Sequence, residues 1–146
     1  MAFIYETKNF VVESHERPEI DRLEGGHIKI SPKIEIEDRT QLTSKQAIEL
    51  MRLTIITGVA MKKGMKKSGV NIGRINYQDN GNWTPHLHIH LYGRAVDARI
   101  QKFGEPIIDG HRDEYKQLNS EDVENIRTEI VNEFKLDKFS DTSWRL

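Results

Sequence analysis

The alternation of aliphatic and polar residues predicts several β-strands along this chain. Residues 27–31 (HIKIS) alternate with a period of two, which suits a strand with one buried face. Residues 71–78 and 86–92 predict two more strands, and residues 1–14 are expected to be extended. Turn-forming residues at 79–82 separate the second strand from the third. Because that connection is short, we expect the two to pair as an antiparallel hairpin.

Apolar residues spaced three or four apart predict two helices. Thr43 and Gln46 fit a capping box at the start of a long helix, and Gly69 follows its lysine-rich last turn. Asn119 or Ser120 caps a C-terminal helix. The predicted buried stripe of that helix is Val123, Ile126, Ile130, Val131 and Phe134. Neighbouring strands with separate helices indicate the α+β class, with an antiparallel sheet, one long helix and one C-terminal helix.

Length and composition restrict the function. The 146 residues suit a single domain spanning residues 1–146, and 22 Lys+Arg against 23 Asp+Glu give no broad field for long nucleic acid. There is no cysteine, which excludes disulfides and thiolate zinc sites. No apolar run approaches the roughly 20 residues that span a bilayer, and the N-terminus lacks the pattern of a secretory signal. We therefore expect no membrane partner and a cytoplasmic location.

Three histidines in the predicted third strand carry the chemical signal. Side chains alternate in a strand, so His86, His88 and His90 share one face at about 6.5–7 Å per two residues, while the aliphatic residues between them face the core. Three imidazoles in register on one exposed face serve no packing purpose. They indicate a chemical site.

Two uses of these imidazoles compete. Neutral imidazole is a common metal ligand, and a zinc site would need a further ligand, for which His27 and His111 are candidates. Alternatively, a neutral imidazole attacks phosphorus and forms a covalent phosphoramidate, which divides one difficult displacement into two easier steps. The residues by themselves leave both uses open.

The order of several segments resembles the histidine triad (HIT) superfamily. Residues 85–94 (PHLHIHLYGR) contain its complete signature, His-φ-His-φ-His-φ-φ, where φ is hydrophobic. Residues 25–33 (GGHIKISPK) resemble its upstream glycine-histidine strand, which ends in Pro-Lys. The intervening helix and residues 76–79 also follow the family's order. The resemblance covers about residues 9–100, and residues 119–146 add the C-terminal helix and tail.

The resemblance implies a HIT-like fold, a homodimer and a nucleotide substrate. The middle histidine of the motif, His88, would be the nucleophile, and the carbonyl of His86 would accept a hydrogen bond from its Nδ1 atom. His90 would hydrogen-bond the phosphate or the leaving group, and His27 would support the site. Because the third motif position is histidine and not glutamine, hydrolysis is favoured over nucleotide transfer. A dinucleoside polyphosphate or a nucleoside phosphoramidate would then be cut at its α-phosphate, releasing a nucleoside monophosphate.

Polar residues near the motif complete the predicted site. Asn76 and Gln78 fall where relatives place contacts to phosphate or ribose, and Asn82 and Thr84 lie in the loop that supplies further phosphate contacts. No cofactor is required, although a divalent ion could accompany a polyphosphate substrate. The alternatives are a nucleotide-binding module without turnover and, less favoured, a histidine-ligated metal enzyme.

A few other residues admit simple expectations. His15 and His111 lie outside any motif and are expected at the surface. Arg94 either reaches phosphate or makes an exposed ion pair. Trp83 and Trp144 either stack on a base or, as is more common for tryptophan, pack in the core or in an interface.

Overall fold

The computed structural model describes residues 1–108 and 112–146, and within them five strands form one antiparallel sheet. The strands are β1 (Phe3–Glu6), β2 (Phe10–Ser14), β3 (His27–Pro32), β4 (Ile72–Gln78) and β5 (Ile89–Ala95). Their spatial order is β1-β2-β3-β5-β4. The strand that carries the histidine motif therefore lies between β3 and β4, and the predicted hairpin of β4 and β5 is confirmed.

The predicted helices are also confirmed, each with a capping box. The long helix α1 (Ser44–Lys66) begins after Thr43, and α2 (Ser120–Phe134) begins after Asn119. A short helix, α3 (Asp141–Trp144), follows in the tail. None of the helices in the described ranges is long and apolar enough to cross a membrane.

The two faces of the sheet have different roles. Leu91 of β5 and Ile28 of β3 are fully buried in a core that includes Leu53 and Met61 of α1. Helix α2 packs beside α1 and also contacts β1, and a side chain at Gly64 of α1 would come within 3.0 Å of Ile126 of α2. One sheet face is thus committed to packing, and the histidines lie on the opposite face. That the whole chain is one domain stays a prediction.

The histidine strand begins later than the sequence predicts, at Ile89 and not at His86, and it runs past Tyr92 to Ala95. Pairing with β3 ends at Ile89 and pairing with β4 ends at His90, so residues 86–88 have no ladder partner. The Leu87 N–H instead donates to the carbonyl of Ile36 at 2.7 Å. The alternation of burial nevertheless continues through residues 86–91, with each histidine half-buried and each aliphatic residue between them buried.

One further expectation is confirmed and another needs correction. Residues 1–14 are extended as predicted, and they form two strands that fold back as the hairpin of β1 and β2. In α2, Val131 is 37% exposed, whereas Ile130 is fully buried. Consecutive helical residues point about 100° apart, and Val131 is rotated out of the buried stripe that contains Ile130.

Candidate active site

The backbone fixes the orientation of His88. Its Nδ1 atom lies 2.7 Å from the carbonyl oxygen of His86, two residues earlier. A carbonyl only accepts, so Nδ1 must carry the proton and Nε2 keeps a free lone pair. The half-buried imidazole of His88 is therefore prepared to act as a nucleophile through Nε2.

A second chain of hydrogen bonds fixes the tautomers of His27 and His90. The backbone N–H of Glu19 donates to Nδ1 of His27 at 3.1 Å, so that nitrogen is unprotonated and Nε2 carries the hydrogen. Nε2 of His27 lies 2.8 Å from Nδ1 of His90, which must accept. In neutral His90 the remaining hydrogen is then on Nε2. The ring of His90 lies edge-on to that of His88, with their centroids 4.7 Å apart.

Burial keeps both supporting histidines neutral. His27 is 2% exposed, and this burial, together with the charges of His15 and His90, lowers its pKa well below the usual value. Burial, followed by the charge of His88, lowers the pKa of His90 to about 4. The hydrogen-bond chain requires neutral rings. It is therefore intact at neutral pH.

His15 belongs to this cluster, so the expectation that it lies at the surface is wrong. Its ring stacks on that of His27 with centroids 4.3 Å apart and planes 8° apart, and it lies 5.7 Å from the ring of His90. The cause is backbone pairing, since the His15 N–H donates to the carbonyl of His27 just beyond the ladder of β2 and β3. His111, the other histidine outside the motif, is not among the described residues.

A cavity of about 490 Å³ opens beside His88. Its lining includes His86, Asn82 and Thr84, so the loop that joins β4 to β5 brings both polar residues next to the motif. Trp83, at the same cavity, is 95% exposed and does not pack in the core. Trp144, in contrast, stacks on a neighbouring phenylalanine with ring centroids 6.3 Å apart.

Asn76 and Gln78 lie on the histidine face of the sheet. Gln78 is directly opposite His90, and Asn76 is opposite the next residue on that face, Tyr92. The Oδ1 atom of Asn76 accepts a hydrogen bond of 2.6 Å from Arg94, which leaves its amide nitrogen as the free donor. The roles of both residues in ligand binding stay predictions.

Arg94 does not make the exposed ion pair that was one of its two expected uses, and its contact with phosphate stays a prediction. It is 4% exposed and donates to the backbone carbonyls of Lys102 and Glu105 as well as to Asn76. The strand continues past the expected end at Tyr92, which carries Arg94 under the loop that follows β5. This arginine therefore anchors a loop.

Among the described residues, His15, His27 and His90 have the spacing of a metal site, with one nitrogen of each within 4.8 Å of the others. Their tautomers oppose such a site. Nδ1 of His15 accepts from the Arg17 N–H at 3.1 Å, as Nδ1 of His27 accepts from Glu19. Both rings consequently present Nε2–H, and a metal needs a lone pair there. The arrangement suits a proton-ordered chain better than metal ligation.

Comparison with known proteins identifies the family. The family model for the HIT domain matches residues 1–96. The chain belongs to the HIT family. No curated protein matches the sequence.

Solved HIT structures share the fold at low sequence identity. A hypothetical histidine triad nucleotide-binding protein of Sulfolobus tokodaii superposes with a TM-score of 0.64 and 19% identity, covering 91% of this chain and 85% of that one. A histidine triad protein of Marinobacter aquaeolei superposes with a TM-score of 0.59 and 15% identity, covering 88% of this chain and 84% of that one. A HIT family hydrolase of Clostridium thermocellum superposes with a TM-score of 0.50 and 20% identity, covering 73% of this chain and 85% of that one. At this identity the likeness establishes the HIT-like α+β fold.

Proposed function

We propose that this HIT protein hydrolyses nucleotides at the α-phosphate through a covalent nucleotidyl-His88 intermediate. The observation that carries the proposal is the hydrogen bond from Nδ1 of His88 to the carbonyl of His86, since it leaves the Nε2 lone pair free beside a cavity. Nε2 attacks phosphorus, an N–P bond forms, and the bond from phosphorus to the leaving group breaks. Water then cleaves the N–P bond and releases a nucleoside monophosphate.

His90 supplies the hydrogen-bond donor of this reaction. Its Nε2–H contacts a phosphoryl oxygen or the leaving group, where negative charge builds in the transition state. His27 supports it by donating to Nδ1 of His90. The His86 carbonyl also stabilises the positive charge that the ring of His88 gains when its Nε2 bonds to phosphorus.

The polar residues around the triad would hold the rest of the substrate. Asn82 and Thr84 line the cavity beside His88, and Gln78 lies opposite His90, so all three can meet phosphate oxygens. Asn76 offers its free amide donor to phosphate or ribose. Candidate substrates are dinucleoside polyphosphates and nucleoside phosphoramidates. The chemistry of His88 requires no cofactor, and a divalent ion would accompany only a polyphosphate.

Substitution of His88 tests the proposal. We expect His88→Gly and His88→Ala to lower hydrolysis of both substrate classes by roughly 10⁴- to 10⁶-fold, the loss that follows removal of a nucleophile. His86→Ala is the matched comparison. It should lose far less activity, because the acceptor for His88 is a backbone carbonyl that the substitution retains.

Trapping with labelled nucleotide identifies the intermediate directly. Enzyme quenched with denaturant at alkaline pH, where the N–P bond of a nucleotidyl-histidine survives, should carry the label on His88 alone. Hydrolysis at the wild-type rate by His88→Gly, or label on another residue, would refute the mechanism. Nucleotide binding by the wild-type protein without turnover of any substrate would favour a binding module instead.

We further propose that the protein is a homodimer assembled along β4. This strand is at the end of the sheet order, and its outer edge has no partner strand in the described part of the chain. Beside it, Tyr77, Met51 and Ile55 are 52%, 57% and 37% exposed around an apolar cavity of about 510 Å³. An unpaired edge next to exposed apolar side chains is suited to pairing with a second copy.

A further inference from the structure

His15 occupies a position in the histidine site that its sequence context does not indicate. It directly follows β2, where its N–H donates to the carbonyl of His27 at 3.0 Å. The backbone N–H of Arg17 donates to Nδ1 of His15 at 3.1 Å, so the turn after β2 also fixes the orientation of this ring. These two backbone contacts hold the imidazole of His15 over His27.

The stacking geometry restricts how His27 can move and ionise. One face of its ring is covered by His15 at 4.3 Å and 8°, and the ring of Tyr92 lies 4.5 Å away at 44°. Two positive charges at the stacking distance repel strongly, so the two stacked rings cannot both be protonated near neutral pH. His27 is the more buried of the two rings, and this burial lowers its pKa well below the usual value, so it stays neutral.

Other groups around His27 act in the same direction. His90 of β5 meets its Nε2 atom, and the charges of His88 and Lys29 disfavour protonation of His27. Glu19 contacts Nδ1 through its backbone N–H. All of these contacts favour a neutral His27 whose ring hydrogen is on Nε2.

We infer that His15 is a positioning residue of the catalytic site, which holds His27 in the plane and protonation state needed to donate to His90. The inference rests on the proposed function, in which His90 acts through its Nε2–H. Loss of the stack frees the ring of His27 to tilt, to flip or to take a proton. His90 then loses the donor that fixes its own tautomer, and its Nε2 atom is no longer reliably protonated toward the substrate.

Three variants separate this role from simple packing. His15→Ala removes the ring, His15→Phe keeps a flat ring that can stack, and Glu16→Ala changes an exposed side chain in the same turn as the control. We expect His15→Ala to lower kcat by about tenfold with little change in KM, a part of the roughly 10²- to 10⁴-fold effect of a positioned proton donor. His15→Phe should recover most of kcat, and Glu16→Ala should match the wild type.

A spectroscopic readout makes the test independent of turnover. Nitrogen-15 NMR distinguishes protonated from unprotonated ring nitrogens, so the wild type should show hydrogen on Nε2 of both His27 and His90. His15→Ala should show mixed tautomers at both rings, and His15→Phe should restore the wild-type tautomers. A protein with these tautomers but no nucleotide hydrolysis would refute the proposed function and leave the role of His15 intact.

Several outcomes would overturn the inference. One is hydrogen on Nδ1 of His27 in the wild type, a result that does not depend on any variant folding. Another is unchanged tautomers and unchanged kcat in His15→Ala. A third is a stoichiometric metal ion in the wild type that both His15 variants lose, which would make the three-histidine cluster a metal site.

Discussion

The buried ion pair of Arg22 and Asp122 gives a stability prediction that reaches the active site. The Asp122 side chain is fully buried and accepts from Nε and Nη2 of Arg22 at 2.6 and 2.9 Å. It also accepts from the hydroxyl of Ser68 at 2.8 Å and completes the capping box of α2 with Asn119. Arg22 lies in the turn that leads to the strand of His27. This one carboxylate therefore ties α2 to the segment that positions the site.

Asp122→Asn keeps the shape of the side chain and removes its charge. Breaking a buried ion pair by removing one partner costs about 3–5 kcal/mol. Because Arg22 retains 18% exposure and can recover some hydration, we expect a loss near the lower end, about 3 kcal/mol of unfolding free energy at pH 7. Glu121→Gln, an exposed neighbour on the same helix turn, is the control and should stay within about 0.5 kcal/mol.

The pH dependence of the loss provides a second check. Burial opposes the charged form, but the hydrogen bonds from Arg22, Asn119 and Ser68 hold the pKa of Asp122 below its usual value. Its contribution is therefore fully present above the unfolded-state pKa of about 3.9 and is lost as pH falls through the lower folded-state pKa. Urea unfolding from pH 7 to pH 3 should show a constant difference between wild type and Asp122→Asn down to about pH 4 and a smaller difference at pH 3. A loss under about 1 kcal/mol at pH 7, or an equal difference at pH 7 and pH 3, would refute the reasoning.

Two further predictions concern the substrate and the assembly. Trp83 exposes 95% of its surface at the cavity beside His88, so we expect it to stack on a base of the substrate. Trp83→Ala should then raise KM by roughly 5- to 150-fold at constant kcat, from a stacking energy of about 1–3 kcal/mol, and an unchanged KM for every nucleotide substrate would exclude the contact. For the homodimer, analytical ultracentrifugation should show a dimeric wild type and a monomeric Tyr77→Glu variant, since the charge would face the partner. A wild type that is monomeric at the highest soluble concentration would contradict the interface.

Local rules predicted the helices and the burial pattern of the motif. The capping boxes at Thr43 and Asn119 act within a few residues, so the sequence placed the start of α1 and narrowed the cap of α2 to Asn119 or Ser120. The alternation through residues 86–91 also survives, although the strand begins only at Ile89. Side-chain direction follows extended backbone, whereas the ends of a strand depend on where its neighbours stop pairing. Those neighbours are remote in sequence.

The residues that the sequence misplaced are fixed by contacts between distant segments. His15 meets His27 because Ser14 pairs with Ile28, and that register is set across the twelve residues, 15–26, that join β2 to β3 with no short turn to define it. If the register of β2 against β3 were known, it would place His15 beside His27. Arg94 is buried because the loop after β5 folds over it and offers two carbonyls as acceptors. No local sequence pattern predicts this contact.

In the proposed mechanism, one residue type takes different chemical roles through its backbone partners. Nδ1 of His88 faces a carbonyl, so its lone pair is on Nε2, whereas Nδ1 of His27 faces an N–H, so its hydrogen is on Nε2. Nδ1 of His90 accepts the hydrogen bond from His27, so the hydrogen of neutral His90 is on Nε2, where it can be donated. A neutral imidazole has only one ring hydrogen, and its position decides whether the ring attacks or donates. The proposed nucleophile and the proposed donor therefore differ in the atoms that meet Nδ1, and a change that reverses either contact should exchange attack for donation without altering a single histidine.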